Sequence, residues 1–222
     1  MKRVLERFEG EIGDIQLQDN NGHFEIIASG VFLMSTASGE SEKEMVRLAI
    51  EQLKDKKIIN VLIGGLGVGY SVMEALEHDK VKFVEIVEIE EAIIKWNEKY
   101  FSSYNNNVIF DSRVNVFHND LLNFVEDYRI NENFDLIVLD VDNGPDWLVR
   151  EENKALYGSR GLQILKEAIT PGGIIVAWSA TKNTSFKKEM KSVFSKAYIH
   201  ELELFDQKKR PFKNYLYFGI KA

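Results

Sequence analysis

Hydrophobic and polar positions follow two different patterns along the chain, and the change between them falls near residue 38. In the first part, residues 12–18 alternate with period two, Asn20–Gly22 has the composition of a tight turn, and residues 24–34 resume the strand pattern. These features predict a small antiparallel β region over residues 1–38, in front of a larger domain over residues 39–222.

A helix is expected at the start of the larger domain. Ser41 and Glu44 have the spacing of a capping box, in which each side chain bonds the backbone N–H of the other residue. Apolar residues then recur at helical spacing as far as Leu53. We therefore predict a helix that Ser41 caps.

From residue 57 onward, short apolar runs alternate with helical patterns. This alternation predicts an α/β fold, with a parallel sheet covered on both faces through right-handed crossovers. Pro171–Gly173 is expected to end the helix before the fifth strand. The predicted strands are 58–63, 82–88, 113–118, 134–140 and 173–179, followed by a closing antiparallel hairpin of 198–205 and 214–220 around a polar loop at 207–211. The predicted helices are 69–78, 90–101, 119–128, 158–169 and 184–195.

A glycine-rich segment follows the first strand of the larger domain. The apolar run at 61–63 stops at Gly64, Gly65, Gly67 and Gly69, and a helical pattern begins directly afterwards. A loop without side chains presents bare backbone N–H groups, which lets a nucleotide-like ligand approach closely. The spacing differs from the dinucleotide fingerprint G-x-G-x-x-G and is typical of the S-adenosylmethionine fold, and no Lys stands where a P-loop requires one.

Carboxylates end the second strand of the larger domain. Glu88 and Glu90 come about twenty residues after the glycine loop, at the place where an acid can accept both hydroxyls of a ribose. The glycine loop and this acid together predict a site for a nucleoside cofactor.

The next two strands also end in polar side chains, at the edge of the sheet where ligands bind in open α/β folds. Asn119 and Asp120 can accept the amino group of an adenine, although Asp120 is equally suited to cap the helix that follows. Asp140, Asp142 and Asp146 stand on a loop with Gly and Pro. Asx-turn chemistry is one explanation for these acids. The functional explanation is that they receive a cation, or a proton from a nucleophilic amine.

Composition narrows the class of protein. The chain has 222 residues, a net charge of −7 and no long basic run, so we expect one compact domain and no nucleic-acid partner. It has no cysteine, which excludes thiolate chemistry. Because no apolar stretch approaches a membrane span and the first residues lack a signal-peptide core, we expect a soluble cytoplasmic protein without a membrane partner. The histidines are scattered without ligand spacing, so we expect no metal.

With these residues in view, the chain resembles the spermidine synthase (polyamine aminopropyltransferase) family over nearly its whole length. The resemblance implies a Rossmann-like fold of the S-adenosylmethionine-methyltransferase type, with the small N-terminal β region in front and the antiparallel hairpin at the end. The matching segments are 63–65, 88–94, 99–101, 119–120, 134–140, 156–157, 161–166 and 171–174.

The resemblance also implies an activity. Enzymes of this family transfer the aminopropyl group of decarboxylated S-adenosylmethionine to putrescine or a similar small amine, leaving methylthioadenosine. By position, the glycine loop would hold the donor's tail, Glu88 its ribose and Asp120 its adenine. Glu90 and Asn119 would lie beside them, and Asp140 would face the aminopropyl ammonium or the incoming amine.

The loop after Asp140 departs from the family pattern, because it is two residues shorter than usual. We therefore take Asp142, together with Asp140, as the candidate catalytic residues, with Asp146 as the second choice for Asp142. The loop at 141–158 is suited to a lid that closes over the site.

Three further departures concern the walls of the site. The glycine loop is apolar at Leu66 and Val68, where the family has an Asp between glycines. Glu42-Lys43 replaces the family's usual Tyr-His, and the Gln expected after the fifth strand is absent near Trp178-Ser179.

Two other functions stay open at this point. An S-adenosylmethionine-dependent methyltransferase could use the same scaffold, since the two donors differ by one carboxylate. A nucleoside-binding protein without catalytic activity is the third interpretation. The identity of the acceptor amine is also open. The exposed edges of the N-terminal strands are suited to pairing with a second copy of the chain, so we expect a homodimer.

Overall fold

The computed structural model describes residues 2–127, 133–206 and 208–222. Two sheets form, and the predicted fold class is confirmed: a small antiparallel sheet precedes a larger, mostly parallel sheet with helices on its faces. Tyr128, the last residue of one predicted helix, and Gln207, the first residue of the predicted polar loop, lie outside the described residues.

The N-terminal sheet is a four-stranded antiparallel meander. The turn between its second and third strands places Asn21 at φ 54° and Gly22 at φ 88°, the left-handed conformation that the Asn-Gly sequence favours. Ile15, Leu17 and Ile26 are fully buried and belong to the same hydrophobic core as the strands of the larger sheet. The strands are β1 (Lys2–Gly10), β2 (Gly13–Asn20), β3 (His23–Ala28) and β4 (Val31–Ser35).

The larger sheet has seven strands in the order β10-β11-β9-β8-β5-β6-β7. The strand pairs among β5 to β9 are parallel. Strand β11 runs antiparallel to both β9 and β10, which confirms the predicted closing hairpin. The strands are β5 (Ile59–Gly64), β6 (Val81–Glu88), β7 (Val114–His118), β8 (Phe134–Leu139), β9 (Ile169–Ser179), β10 (Lys196–Phe205) and β11 (Pro211–Ile220).

The helices pack on both faces of this sheet, and its central strand β8 is buried along its entire length. The helices are α1 (Glu40–Gln52), α2 (Tyr70–Leu76), α3 (Glu91–Trp96), a π-helix (Asn97–Phe101), α4 (Ser102–Asn105), α5 (Leu121–Asp127), α6 (Lys154–Tyr157), α7 (Ser159–Ala168) and α8 (Thr184–Val193), with short 3₁₀ turns at Val108–Phe110 and Glu151–Asn153. Within the described part of the chain, no helix has both the length and the apolar character needed to cross a membrane.

Two local predictions are wrong. The first helix begins one residue before Ser41, with Gly39 as its N-cap, and the Ser41 hydroxyl donates to Glu42 instead of forming a capping box. The early start follows from packing, because a Cβ on Gly39 would meet the ring of Tyr70 at 2.0 Å. Pro171–Gly173 does not end a helix either; it lies inside β9, where the pairing with β8 is irregular and Gly173 approaches the carbonyl of Asp135.

The strand order locates the ligand crevice. Strand β5 lies between β6 and β8, so the chain leaves β5 toward one side of the sheet and later returns on the other side. A crevice opens outside the carboxyl ends of strands at such a switch point, and this is where open α/β sheets bind ligands. The glycine loop follows β5 and the Asp140 loop follows β8, so both flank this crevice.

Candidate active site

The glycine loop joins β5 to α2, and its backbone requires glycine. Gly65 and Gly67 have φ values of +91° and +51° and line a cavity at the switch point. A Cβ on Gly65 would lie 2.1 Å from the carbonyl oxygen of Asp140, and a Cβ on Gly67 would lie 2.4 Å from the sulfur of Met34. The loop is therefore pressed between the Asp140 loop and the N-terminal sheet.

The outer two glycines of the predicted set serve close packing. A Cβ on Gly64 would meet the side chain of Leu121 at 2.5 Å, and one on Gly69 would meet Asn105 at 3.0 Å. Gly69 also has φ +93° and is the N-cap of α2. Both glycines shape the loop from behind the cavity surface.

Two buried amides hold the carbonyl groups of the glycine loop. The amide of Asn97 donates to the carbonyl of Gly67 at 2.7 Å, and the amide of Asn105 donates to the carbonyl of Val68 at 2.7 Å and to Asn97 at 2.8 Å. Asn97 starts the π-helix, a turn type that often occurs at functional sites. Sequence reasoning missed both residues, because Asn97 lies within the helix predicted over 90–101 and Asn105 lies in the polar stretch that follows it.

Glu88 lies directly behind the glycine loop. Its carboxylate accepts the backbone N–H groups of Leu66 and Glu90, each at 2.8 Å. Burial raises the pKa of this carboxyl, and the backbone N–H donors act in the opposite direction. The backbone N–H groups of Gly67 and Ile89 also act on this carboxylate, and Glu88 lines the cavity.

Glu90 connects the site to the N-terminal sheet. Its carboxylate accepts the backbone N–H of Ile12 at 2.5 Å, and Gly10 packs against it so closely that a Cβ there would meet an oxygen at 2.0 Å. Burial, and to a smaller degree Glu88 and Glu11, raises the pKa of this carboxyl. Glu90 lines the cavity and also anchors the β1–β2 turn.

Asn119 and Asp120 line the cavity after β7. Asp120 accepts the backbone N–H groups of Leu122 at 3.0 Å and Asn123 at 3.1 Å, so it caps α5, and its other oxygen lies 3.5 Å from Arg150. The side-chain oxygen of Asn119 accepts the backbone N–H of Asp120 at 2.8 Å. The capping role foreseen for Asp120 is present, and its side chain also borders the cavity.

Asp140 lies at the end of β8 beside the glycine loop. The hydroxyl of Ser71, from the first turn of α2, donates to its carboxylate at 3.0 Å. Burial raises the pKa of Asp140 to about 7, and the nearby carboxylates of Glu42 and Glu88 contribute in the same direction. A carboxyl with a pKa near neutrality can accept a proton at physiological pH.

Asp142 also borders the cavity, but its oxygens are engaged by the loop that follows. It accepts the backbone N–H of Val149 at 2.6 Å, the amide of Asn153 at 3.0 Å and the hydroxyl of Tyr157 at 3.1 Å. Burial raises the pKa of Asp142, and these three donors oppose the shift. Its contacts make Asp142 the anchor of the segment at 143–157.

Asp146 faces away from the cavity, toward the opposite side of the loop. Its carboxylate accepts the amide of Asn183 at 2.6 Å and the hydroxyl of Thr181 at 3.4 Å. The side chain is exposed, so Asp146 joins the Asp140 loop to the start of α8.

Comparisons with known proteins identify the family. A family model described as the spermine/spermidine synthase domain matches residues 40–202. The chain belongs to the spermine/spermidine synthase family.

Curated members of the spermine/spermidine synthase family show the same relationship. A polyamine aminopropyltransferase of Prochlorococcus marinus is 31% identical over 55% of this chain, and one of Clostridium tetani is 32% identical over 54% of it. Each match spans 41% of the relative's own length, so the matched part of the chain corresponds to about two fifths of these proteins. A spermine synthase of Saccharomyces cerevisiae is 23% identical over 96% of this chain and 68% of the relative.

Solved spermidine synthases share the fold. The crystal structure of spermidine synthase from Thermotoga maritima superposes with a TM-score of 0.79 at 18% identity, over 99% of this chain and 73% of that one. A spermidine synthase in complex with the transition-state analogue AdoDATO gives a TM-score of 0.80 at 19% identity, over 99% and 74% of the two chains. At these identities the likeness establishes the fold.

Two positions where this family member departs from the family pattern lie in the cavity wall. Glu42 approaches from the first turn of α1, and Trp178 from the end of β9. The indole N–H of Trp178 is buried and has no acceptor among the described residues. Trp147 is 58% exposed and is not among the residues that line this cavity.

The charge of the cavity wall is one-sided. Six of the lining side chains are acidic, and none of the lining residues in the described part of the chain is Lys, Arg or His. Apolar side chains from β4 and from the Asp140 loop fill the spaces between the acids. This arrangement is suited to a ligand that carries positive charge. The acidic residues are Glu42, Glu88, Glu90, Asp120, Asp140 and Asp142.

Proposed function

We propose that this chain transfers an aminopropyl group from decarboxylated S-adenosylmethionine to a small, putrescine-like amine. The observation that carries the proposal is the pair of acids Asp140 and Glu42 beside the glycine loop, in a cavity without basic lining residues among those described. Decarboxylated S-adenosylmethionine ends in an ammonium group and contains a sulfonium, so both of its charged centres are complementary to this wall.

The same acids disfavour S-adenosylmethionine. Its tail carries a carboxylate in addition to the ammonium group, and that carboxylate would lie against Asp140 and Glu42. Like charges in a partly buried site repel strongly, because water screens them poorly there. The cavity therefore supports an aminopropyl donor over a methyl donor.

The nucleoside part of the donor is assigned to the strand ends. In the proposal, Glu88 binds the ribose hydroxyls, and Glu90 supports that edge of the site. Asn119 and Asp120 accept the amino group of the adenine. The glycine loop, Gly64 to Gly69, lies along the sulfur-bearing chain, where its lack of side chains gives space.

The proposed reaction is a single displacement at carbon. The amine nitrogen forms a bond to the aminopropyl carbon next to sulfur, the carbon–sulfur bond breaks, and sulfur keeps the electron pair in methylthioadenosine. The nitrogen then loses a proton to a carboxylate. The protein's main contribution is alignment of nucleophile and leaving group in a cavity shielded from water.

Asp140 is the better placed of the two candidate proton acceptors. Its pKa of about 7 is close to the working pH, whereas the oxygens of Asp142 already accept three hydrogen bonds from the loop. Asp142 contributes by holding the segment at 143–157 against the cavity. We retain it as a candidate for contact with the incoming amine.

We further propose that the protein is a cytoplasmic homodimer. Within each chain, we propose that the boundary between the N-terminal β region and the larger domain lies near residue 38. Support for association comes from the N-terminal sheet, whose outer strands β1 and β4 expose Val4, Phe8, Val31 and Phe32. Exposed strand edges with apolar side chains favour pairing with another chain. Sedimentation at several concentrations tests the dimer, and a purely monomeric profile would contradict it.

Product analysis tests the activity. The protein is incubated with putrescine and either decarboxylated S-adenosylmethionine or S-adenosylmethionine, and the nucleoside products are separated. The proposal predicts amine-dependent release of methylthioadenosine from the decarboxylated donor. Release of S-adenosylhomocysteine from the other donor, without methylthioadenosine, would instead show a methyltransferase. A lack of turnover despite donor binding, across a panel of amines, would favour the non-catalytic interpretation.

A further inference from the structure

Among the described residues that line the cavity, Glu42 is the one acid that comes from α1 and not from a strand end or strand-end loop. The helix begins at Glu40, so Glu42 lies in its first turn, next to the linker that joins the two sheets. Its carboxylate accepts the hydroxyl of Ser41 at 2.5 Å. The backbone N–H of Glu42 itself also bonds this carboxylate, so about two of its four lone-pair positions remain for a ligand.

The residues described as lining the cavity include no cation beside Glu42. Lys43 places its ammonium 5.1 Å from the ring centre of Tyr70, and its charge lowers the pKa of Glu42 less than burial raises it. Tyr70 itself donates its hydroxyl to the carbonyl of Thr36 at 2.8 Å. Glu40, on the same turn, adds negative charge.

Glu42 and Asp140 act on each other across the cavity. The negative charge of Glu42 is, after burial, the largest cause that raises the pKa of Asp140. Both residues line the same cavity as Gly65 and Gly67. Each of the two carboxylates accepts one serine hydroxyl, from Ser71 and from Ser41. An ammonium group placed between them would donate charge-assisted hydrogen bonds to both.

We propose that Glu42 is a substrate-binding residue that holds the terminal ammonium group of the donor together with Asp140. This inference rests on the proposed function. It explains how an apolar glycine loop with Leu66 and Val68 can still bind a cationic tail, because the second carboxylate comes from α1. It also makes Glu42 a determinant of donor choice, since a ligand with a carboxylate at this place is repelled.

A purely structural role for Glu42 makes a different prediction. Acids in the first turn of a helix stabilise it through the helix dipole, and such an effect does not depend on the ligand. Glu44, on the outer side of the same helix, provides the comparison because it forms a salt bridge with Arg47 at the surface. Substitution at either position affects the helix, but only Glu42 faces the cavity.

The test uses two ligands that differ in the ammonium group. Wild type, Glu42→Gln, Glu42→Asp and Glu44→Gln are titrated calorimetrically with decarboxylated S-adenosylmethionine and with methylthioadenosine, which lacks the aminopropyl chain. We expect Glu42→Gln to bind the decarboxylated donor about tenfold or more weakly, the loss of one hydrogen bond to a charged group. Its affinity for methylthioadenosine should equal that of wild type, as should both affinities of Glu44→Gln.

The outcomes separate this inference from the function on which it rests. If wild type binds neither nucleoside, the proposed function and the inference both fall. If wild type binds both ligands and Glu42→Gln binds them equally well, the inference falls and the proposed function stands. If Glu42→Gln loses affinity for both ligands alike, Glu42 has a structural role and the inference is again overturned. Should Glu42→Gln not fold, the same comparison is made with Glu42→Asp, whose shortened side chain should weaken only the donor.

Discussion

The carboxylate of Glu88, at the end of β6, accepts the backbone N–H of Leu66 in the glycine loop at 2.8 Å. The acid that the sequence suggested as a ribose ligand is thus also the support of the loop that follows the neighbouring strand. One side chain couples two parts of the site, so the shape of the glycine loop and the position of the ribose depend on each other.

Replacement of Glu88 by Gln should weaken nucleoside binding. A Gln retains one acceptor oxygen and turns an amide N–H₂ toward either Leu66 or Glu90, which leaves a buried donor unpaired at a cost of about 1–3 kcal/mol. We expect the affinity for methylthioadenosine to fall about tenfold or more. Glu85→Gln is the matched control, because Glu85 lies on the same strand and outside the cavity wall. Unchanged affinity in Glu88→Gln would refute the ribose assignment.

Gly65→Ala should be more destabilising than Gly172→Ala. Both glycines have positive φ, +91° and +74°, so an alanine pays about 1–2 kcal/mol at either site for the left-handed backbone. Only at Gly65 would the new Cβ collide with the carbonyl oxygen of Asp140, at 2.1 Å, whereas the space around Gly172 is open. Chemical denaturation of the two variants measures the difference, and equal losses of stability would show that the loop can move away from Asp140.

Stability and ligand binding should depend on pH in opposite directions through Asp140. Its pKa rises from 3.8 to about 7 in the folded protein, so the folded state holds the proton more tightly than the unfolded chain. The stabilisation from this proton is therefore complete below the unfolded pKa and is lost as the pH rises toward about 7. Binding of a cationic donor should strengthen over the same upper range, because it requires the ionised carboxylate.

Denaturation of ligand-free protein between about pH 5 and about pH 8 measures this effect. Asp140→Asn should lose less stability than wild type across that interval, whereas Asp146→Asn, an exposed change, should follow wild type. An identical pH dependence in Asp140→Asn and wild type would mean that the Asp140 carboxyl is ionised throughout.

Asp142→Asn should lower turnover and loosen the segment at 143–157, while the donor still binds. Donor binding is assigned to Glu88, Asp120 and Asp140, whereas Asp142 holds the loop through Val149, Asn153 and Tyr157. Trypsin should cut this segment faster in the variant, and methylthioadenosine should protect it in wild type if the segment acts as a lid. Equal cutting with and without methylthioadenosine would count against closure.

Tyr157→Phe separates the two roles of Asp142. It removes one donor to Asp142 and leaves the carboxylate in place. Full turnover in Tyr157→Phe, with none in Asp142→Asn, would assign the carboxylate to the chemistry. Equal loss of turnover and equal cleavage in both variants would show that Asp142 acts only by holding the loop.

The sequence predicts most of the fold because its strongest signals are local and repeated. Each predicted strand of the larger sheet overlaps an observed one, and the closing hairpin is present. Errors occur where packing with distant residues overrides a local pattern. Gly39 starts α1 early because it packs against Tyr70, and the helix predicted over 90–101 changes to a π-helix at Asn97.

The site was predictable where it follows strand ends, since topology alone brings those residues together. Glu88, Asp120, Asp140 and Gly65 all border one cavity. The sequence did not indicate which residues outside the strand ends would face or support the site. Glu42 was noted only as a departure from the family pattern, and the Asn97–Asn105 pair supports the glycine loop across 30 or more positions of sequence.

Calorimetric titration of the wild-type protein with decarboxylated S-adenosylmethionine, S-adenosylmethionine and methylthioadenosine tests the central claim most directly. The account predicts that the decarboxylated donor and methylthioadenosine bind, and that S-adenosylmethionine binds about tenfold or more weakly because its carboxylate meets Asp140 and Glu42. Equal or tighter binding of S-adenosylmethionine would contradict the assignment of these acids to an ammonium group. Binding of none of the three would contradict the nucleoside site itself.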